Sequence, residues 1–378
     1  MRSQHDDPAS AAWQRLLDAL GGAGQVVTGP LGARDDRERA EGFRHLTRVL
    51  SIATEMLLEK GDPVRPAFTR WMSPHRKMLG DNPGTIYDAA LVSPAAAYRL
   101  TGTRGTCAYL GFCVYGTGTG GARRIVGNLD DDELAVAADG SFELWLAATR
   151  PAAAPSDAAF LALEPDATDL MVRQYYAEPD EMPATYTITA VPDAGPPEPL
   201  GPAELARRLD RVGAYVRDTV ELETTLSALM ATATPALLRS GNEYVDAGGE
   251  AAPPPIDPAV VARAMPSSAI QYSGSWFDDL GDGEAIVVEG TVPHCRYWSV
   301  QLLTRWMESG DYVHHPVALT GRDIVATDEG RFRVVVAHRD PGTPNWIATT
   351  GLTSANIAVR ALRAEGLLDV QFHREPLP

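Results

Sequence analysis

The sequence predicts a mainly β fold with added α-helices, built as two jelly-roll-like antiparallel β-sandwich units that form an internal repeat joined by a long helix. Three observations predict it. From residue 85 to 146 the chain consists of short β-type runs broken by glycine and aspartate, and this texture returns from Tyr272 onward. A block recurs: GTRGTCAYLGF at 102–112 and GTVPHCRYWSV at 290–300 keep Gly-Thr and Cys-x-Tyr in one register 188 residues apart, and DGSFELWLA at 139–147 answers EGRFRVVVA at 329–337. Between the copies, residues 202–230 carry the longest amphipathic helical pattern in the chain.

In chain order, residues 8–20 and 36–60 read as helices. In the second, Phe43, Leu46, Leu50, Ala53 and Leu57 recur at helical steps and Arg37, Glu38, Arg39, Glu41, Arg44 and Arg48 fill the other faces. Asp81-Asn82-Pro83-Gly84 is turn chemistry, a rigid entry into the first strand. In SFELWLA, Phe142, Leu144 and Leu146 point one way and Ser141, Glu143 and Trp145 the other; Phe332, Val334 and Val336 repeat the arrangement. PATYTITAV closes this half, and PDAGPPEPLG at 192–201 can continue neither helix nor ladder. Pro202 suits a helix first turn, and Leu205, Leu209, Val212, Val216, Leu222 and Leu226 supply the apolar stripe behind it. GGEAAPPPIDP, at 248–258, is a second linker. The expected organisation is a helical segment at 1–70, a first sandwich at 71–195, a linker with the long helix at 196–265, and a second sandwich at 266–378.

Composition narrows function. Fifty acidic against thirty-three basic residues give a formal net charge of -17, which repels phosphate backbones and anionic lipid, so neither nucleic acid nor membrane is an expected partner. The three cysteines, Cys107, Cys113 and Cys295, are too few and wrongly spaced for a disulfide framework. The amino terminus has no apolar signal core and no stretch nears eighteen apolar residues, which points to a soluble, cytoplasmic protein.

Five segments, ERAEGFRHLTRVL (38–50), GDNPGTIYDAAL (80–91), YRLTG (98–102), YWSVQL (297–302) and PGTPNWI (341–347), taken in this order resemble a bacterial family whose C-terminal region is known as domain of unknown function 1214, related to the 1254/1214 two-domain proteins. The resemblance runs from about residue 35 to the end. It implies two jelly-roll-like domains with added helices, and almost nothing about activity.

Sharp catalytic motifs are absent: the chain has no HExxH, GxSxG or GxxxxGK[ST], and no cupin-type histidine pattern. GTGTGG at 116–121 runs into no helix that could hold a pyrophosphate and reads as a hairpin loop. NLDDDEL at 128–134 lacks calcium-loop spacing and reads as a solvated turn. No cofactor or metal is expected. In YWSVQLL, Trp298, Val300 and Leu302 form a core face, while Tyr297, Ser299, Gln301 and Leu303 form a second face suited to lining a cavity. Beyond it, Glu308, Asp311 and His314 gather acid/base chemistry on a loop.

The candidate catalytic residues are therefore Asp81, Glu308, Asp311 and His314. Asn82, Tyr297, Trp298, Gln301, Asn345 and Trp346 are candidates for holding a substrate, the last pair offering an amide beside an indole on a tight turn. The expected function is a metal-independent enzyme acting on a hydroxylated or sugar-like small molecule by carboxylate acid/base chemistry, in the manner of a glycoside hydrolase, with a homo-oligomer as the expected assembly. A non-catalytic binding or assembly protein of double jelly-roll type, and a lyase or isomerase for a hydrophobic metabolite, are the alternatives.

Overall fold

Asp7 starts the described chain by accepting hydrogen bonds from Ala9 N and Ser10 N, which caps helix α1 (Pro8–Thr28). The computed structural model describes residues 7–117, 123–232, 236–239, 243–246, 267 and 269–377; the 248–258 linker and most of the GTGTGG loop lie outside them. α1 runs eight residues past its expected end, through Gly21, Gly22 and Gly24. Burial of Ala23 and Val27 outweighs the helical cost of about 1 kcal/mol that each glycine carries.

Asp35 caps α2 (Asp36–Ala53), which passes into a π-helical turn at Thr54–Glu59 instead of staying regular to residue 60. The buried face is displaced over the first turns and returns to the expected one at Ala53 and Leu57, both buried. Gly42, His45, Val49 and Ile52 are covered, while Phe43 is 45% exposed. Arg48 is buried too, so the polar and apolar faces of this helix are not cleanly divided.

The chain divides into two compact units. The first comprises residues 1–76, 86–174 and 182–222, and the second comprises 77–85, 175–181 and 223–378. The strands of the first half are β1 (Thr69–Arg70), β2 (Thr85–Leu91), β3 (Ala97–Thr103), β4 (Tyr109–Thr117), β5 (Arg123–Asp130), β6 (Ser141–Ala147), β7 (Ala159–Ala162), β8 (Ala167–Tyr175) and β9 (Thr185–Val191). They form one sheet in the order β1-β2-β8-β4-β5 and another in the order β7-β6-β3-β9. Phe112 of β4 meets Phe142 of β6 across the sandwich, ring centroids 5.9 Å apart.

Helix α3 (Pro202–Thr232) follows the proline-rich stretch and contributes residues to each unit in turn. After it come β10 (Ala236–Arg239), β11 (Glu243–Asp246), β12 (Ile270–Phe277), β13 (Glu284–Thr291), β14 (Tyr297–Leu303), β15 (Ala318–Thr320), β16 (Arg331–Ala337), β17 (Trp346–Ala348), β18 (Ala355–Leu362) and β19 (Val370–Pro376). These strands order as β11-β10-β12-β18-β14-β15 and β17-β16-β13-β19.

The repeat is thus topological as well as sequential: β2-β8-β4-β5 recurs as β12-β18-β14-β15, and β7-β6-β3-β9 as β17-β16-β13-β19. Even the parallel pairing of β6 with β7 returns in β16 with β17. The residues that mark the repeat have structural reasons. A Cβ on Gly102 would lie 2.0 Å from Thr185 O of the paired strand, and one on Gly290 would lie 2.0 Å from Asp369 O. Cys107 Sγ donates to Tyr109 O at 3.5 Å and Cys295 Sγ to Tyr297 O at 3.4 Å, so Cys-x-Tyr is one local contact used twice.

In the second unit, Ile286, Val288, Phe332, Val334, Val336 and Ile347 of one sheet pack against Trp298, Val300, Leu302, Ile357 and Val359 of the other. All of β14 and β18 is nonetheless buried on both faces. No helix among the described residues is long and apolar enough to cross a membrane.

Candidate functional site

The second face of the β12-β18-β14 sheet carries polar side chains that are buried. Strand alternation and register put Tyr297, Ser299 and Gln301 of β14, Asn356 and Arg360 of β18, and Tyr272 and Trp276 of β12 on this face. Segment 77–85 and the residues of α3 from Glu223 onward belong to the same unit and meet it.

Asp81 is 2% exposed, and both its carboxylate oxygens are engaged by Ser309: the backbone N–H donates to Oδ1 at 2.8 Å and the hydroxyl to Oδ2 at 2.6 Å. Burial pushes the Asp81 carboxyl above its ordinary value. The Ser309 bonds and the Lys77 ammonium pull it back, and the nearby Glu308 charge pushes it further up. Gln301 Nε2 donates to Asp81 O at 2.7 Å, and Tyr297 OH donates to Asn82 Oδ1 at 2.9 Å.

Arg360 fastens the assembly. Its Nη1 donates to Gln301 Oε1 at 3.0 Å, its Nη2 donates to Gly80 O, and its guanidinium stands 5.7 Å from the Tyr272 ring centre. Lys77 Nζ donates to Ser309 O and Gly310 O and lies 4.3 Å from the Tyr312 ring centre. Glu223 Oε1 accepts from Leu79 N at 2.6 Å. Leu79 and Met307 both occupy the left-handed region, at φ 48° and 51°, and Gly80 N donates to Met307 O between them. Non-glycine residues in that region store strain of order 1–3 kcal/mol, which collects at functional sites.

Of the sequence candidates, Asp81, Asn82, Tyr297 and Gln301 are joined by direct bonds, and Glu308, 2% exposed, sits beside Ser309 within electrostatic reach of Asp81. The others lie elsewhere. Asp311 and His314 form a hydrogen-bonded surface pair at 2.9 Å, His314 being 72% exposed, and the His314 hydrogen bond holds the Asp311 carboxyl below its ordinary value. Trp298 packs in the core between the sheets, 4.9 Å from the Phe332 ring.

Asn345 is a strut in the opposite sheet: Nδ2 donates to Val325 O and Arg333 O, and Oδ1 accepts from Val325 N. Trp346 Nε1 donates to Ala337 O. Asn345→Ala is accordingly expected to cost about 1–3 kcal/mol in urea unfolding, from three backbone groups left unpaired. A change indistinguishable from zero would contradict the strut role.

NLDDDEL is not simply solvated. Asp130 is buried and its Oδ1 accepts from Asp132 N, Glu133 Oε2 accepts from Asp130 N, and Asp131 pairs with Arg104. Among the described residues no three His, Cys, Asp or Glu side chains are arranged to hold a metal ion.

Sequence reading missed Lys77, Glu223, Ser309 and Arg360. Arg360 did leave a signal: MVRQY at 171–175 and AVRAL at 358–362 share Val-Arg, 187 residues apart and so within a residue of the 188-residue repeat offset. The first unit uses the equivalent residue alike. Arg173 is buried, lies 6.0 Å from the Tyr87 ring centre and donates to Tyr115 OH at 2.7 Å.

The crystal structure of an uncharacterized protein from Burkholderia cenocepacia matches this architecture with a TM-score of 0.86 and 32% identity, over 97% of this chain and 97% of that one. The chain belongs to that protein's family. A Vibrio parahaemolyticus protein is similar at 12% identity and a TM-score of 0.47, over 95% of this chain and 99% of its own. No family model and no curated protein matches the chain.

Proposed function

We propose that this chain, whose motifs resemble the domain of unknown function 1214 family, is an acid/base enzyme acting on a hydroxylated or sugar-like small molecule, with Asp81 as acid and Glu308 as its partner. The observation that carries the reading is a buried Asp81 carboxyl driven toward its protonated form beside a second buried carboxylate. Burial favours the protonated form of Asp81 and the Glu308 charge adds to that, which casts Asp81 as the proton donor and Glu308 as its carboxylate partner. Ser309 Oγ, 2.6 Å from Asp81 Oδ2, is placed to pass that proton. Lys77 tempers the negative charge, and the strained backbone at Leu79 and Met307 fits a site held in one geometry. The same reading places the protein in the cytoplasm, where its three free thiols stay reduced.

A panel of 4-nitrophenyl glycosides and free aldoses, followed by absorbance and proton NMR, tests the proposal. Turnover by the wild type is expected, with Asp81→Asn and Glu308→Gln each lowering it by roughly 10²–10⁴-fold, the usual worth of a positioned acid or base. Undiminished turnover in Asp81→Asn would sink the assignment.

A further inference from the structure

Tyr297, Ser299 and Gln301 share one strand face, and the outer two bond to Asn82 and to Asp81 O, so the Asp81-Asn82 dipeptide crosses over Ser299. Three buried polar atoms belong to these segments. Asn82 Nδ2, Ser299 Oγ and Thr85 Oγ1 have no hydrogen-bond partner among the described residues, Asn82 being 3% and Ser299 1% exposed. Thr85 is tied into the same turn by its N–H to Asn82 O at 3.1 Å. An unmet buried group costs about 1–3 kcal/mol, and native proteins carry few. Three on the segments that meet at Asp81 and Asn82 mark buried polar groups left for a polar ligand to satisfy.

We propose that Asn82, Thr85 and Ser299 bind adjacent hydroxyl groups, a vicinal diol, of a neutral polyol. This rests on the acid/base reading and names its substrate class. The chemistry of the donors selects the ligand: an amide N–H only donates, but two hydroxyls both donate and accept, which suits a diol better than an acceptor-only carboxylate. Charge agrees. Lys77 offsets the Asp81 charge and donates to Ser309 O and Gly310 O, while Arg360 donates to Gln301 Oε1 and Gly80 O, so these cations are engaged within the protein.

The test is saturation-transfer NMR on the full chain, with meso-erythritol and D-ribose as diol probes and 1,3-propanediol and L-lactate as controls. The diols are expected to bind in preference to the controls. The double variant Ser299→Ala, Thr85→Val should weaken diol binding at least about ten-fold with its melting temperature unchanged or raised, because neither hydroxyl loses a protein partner. No diol binding to wild type, equal binding of the controls, unchanged affinity in the double variant, or a melting temperature lowered by several degrees would each overturn the proposal. Asp81→Asn separates the two readings: wild-type turnover in that variant, with diol binding lost only in the double variant, discards the acid/base chemistry and keeps the diol site.

Discussion

Asp81→Asn is expected to raise the melting temperature at pH 7 to 8 while lowering turnover by roughly 10²–10⁴-fold. Asparagine keeps the shape, its Oδ1 accepts from Ser309 N and its Nδ2 donates to the Ser309 hydroxyl, so both contacts survive. What changes is the charge. Burial raises the folded-state value of the Asp81 carboxyl above its unfolded value, and the charge of Glu308 adds to the rise. Stability linked to this group is therefore fully present below the ordinary carboxylate value of about 4 and is lost as pH rises through the folded value. Toward neutrality the wild type thus bears the cost of either burying the charge or taking up a proton to avoid it, and the variant bears neither. Melting curves from pH 4 to 8 should diverge as pH rises and converge toward pH 4. A variant less stable than wild type at pH 7 to 8 would show that Asp81 serves the fold as an anion. A gain in stability joined to a loss of activity is the usual exchange at a site kept for chemistry.

Arg360→Met is expected to destabilise the protein by about 3–5 kcal/mol, the range for removing one member of a buried charged network. Methionine fills much of the volume but leaves Gly80 O and Gln301 Oε1 without their donor and ends the Tyr272 contact. It also frees residues 79–81 from β18, so the Asp81 carboxyl loses its fixed approach to Ser309. Urea unfolding measures the cost, and a loss below about 1 kcal/mol would mean that Arg360 does not hold the segment. Arg173→Met probes the same device in the first unit, where Tyr115 OH takes the place of the carbonyl partners.

Much of the fold is legible because its signals are local. Period-two alternation, glycines that a paired strand crowds and a thiol that reaches the carbonyl two residues on are written within a few positions, so the repeat and the sandwich faces can be read directly. The helices were harder. Packing against the rest of the first unit carried α1 past three glycines and turned α2 so that Phe43 faces outward. At the site, alternation correctly separated Tyr297 and Gln301 from Trp298. It could not distinguish Glu308 from Asp311 and His314, only a few residues on. The distinction comes from the backbone: Thr304 N donates to Glu308 O, Leu303 bridges Ser309, and the left-handed Met307 turns Glu308 and Ser309 back onto the sheet, while the chain beyond leaves for the surface.

The sequence by itself determined a mainly β, duplicated protein with a long helix between its copies, and it marked Asp81, Asn82, Tyr297 and Gln301. Only the tertiary structure decided what covers the second face of β14. Segment 77–85 joins the second unit, and Ser309, Gln301 and Arg360 reach it across 220 to 280 residues of chain. The physical reason is that side-chain period fixes which way a residue points, whereas the group it meets is set by topology and long-range packing, which no local pattern encodes.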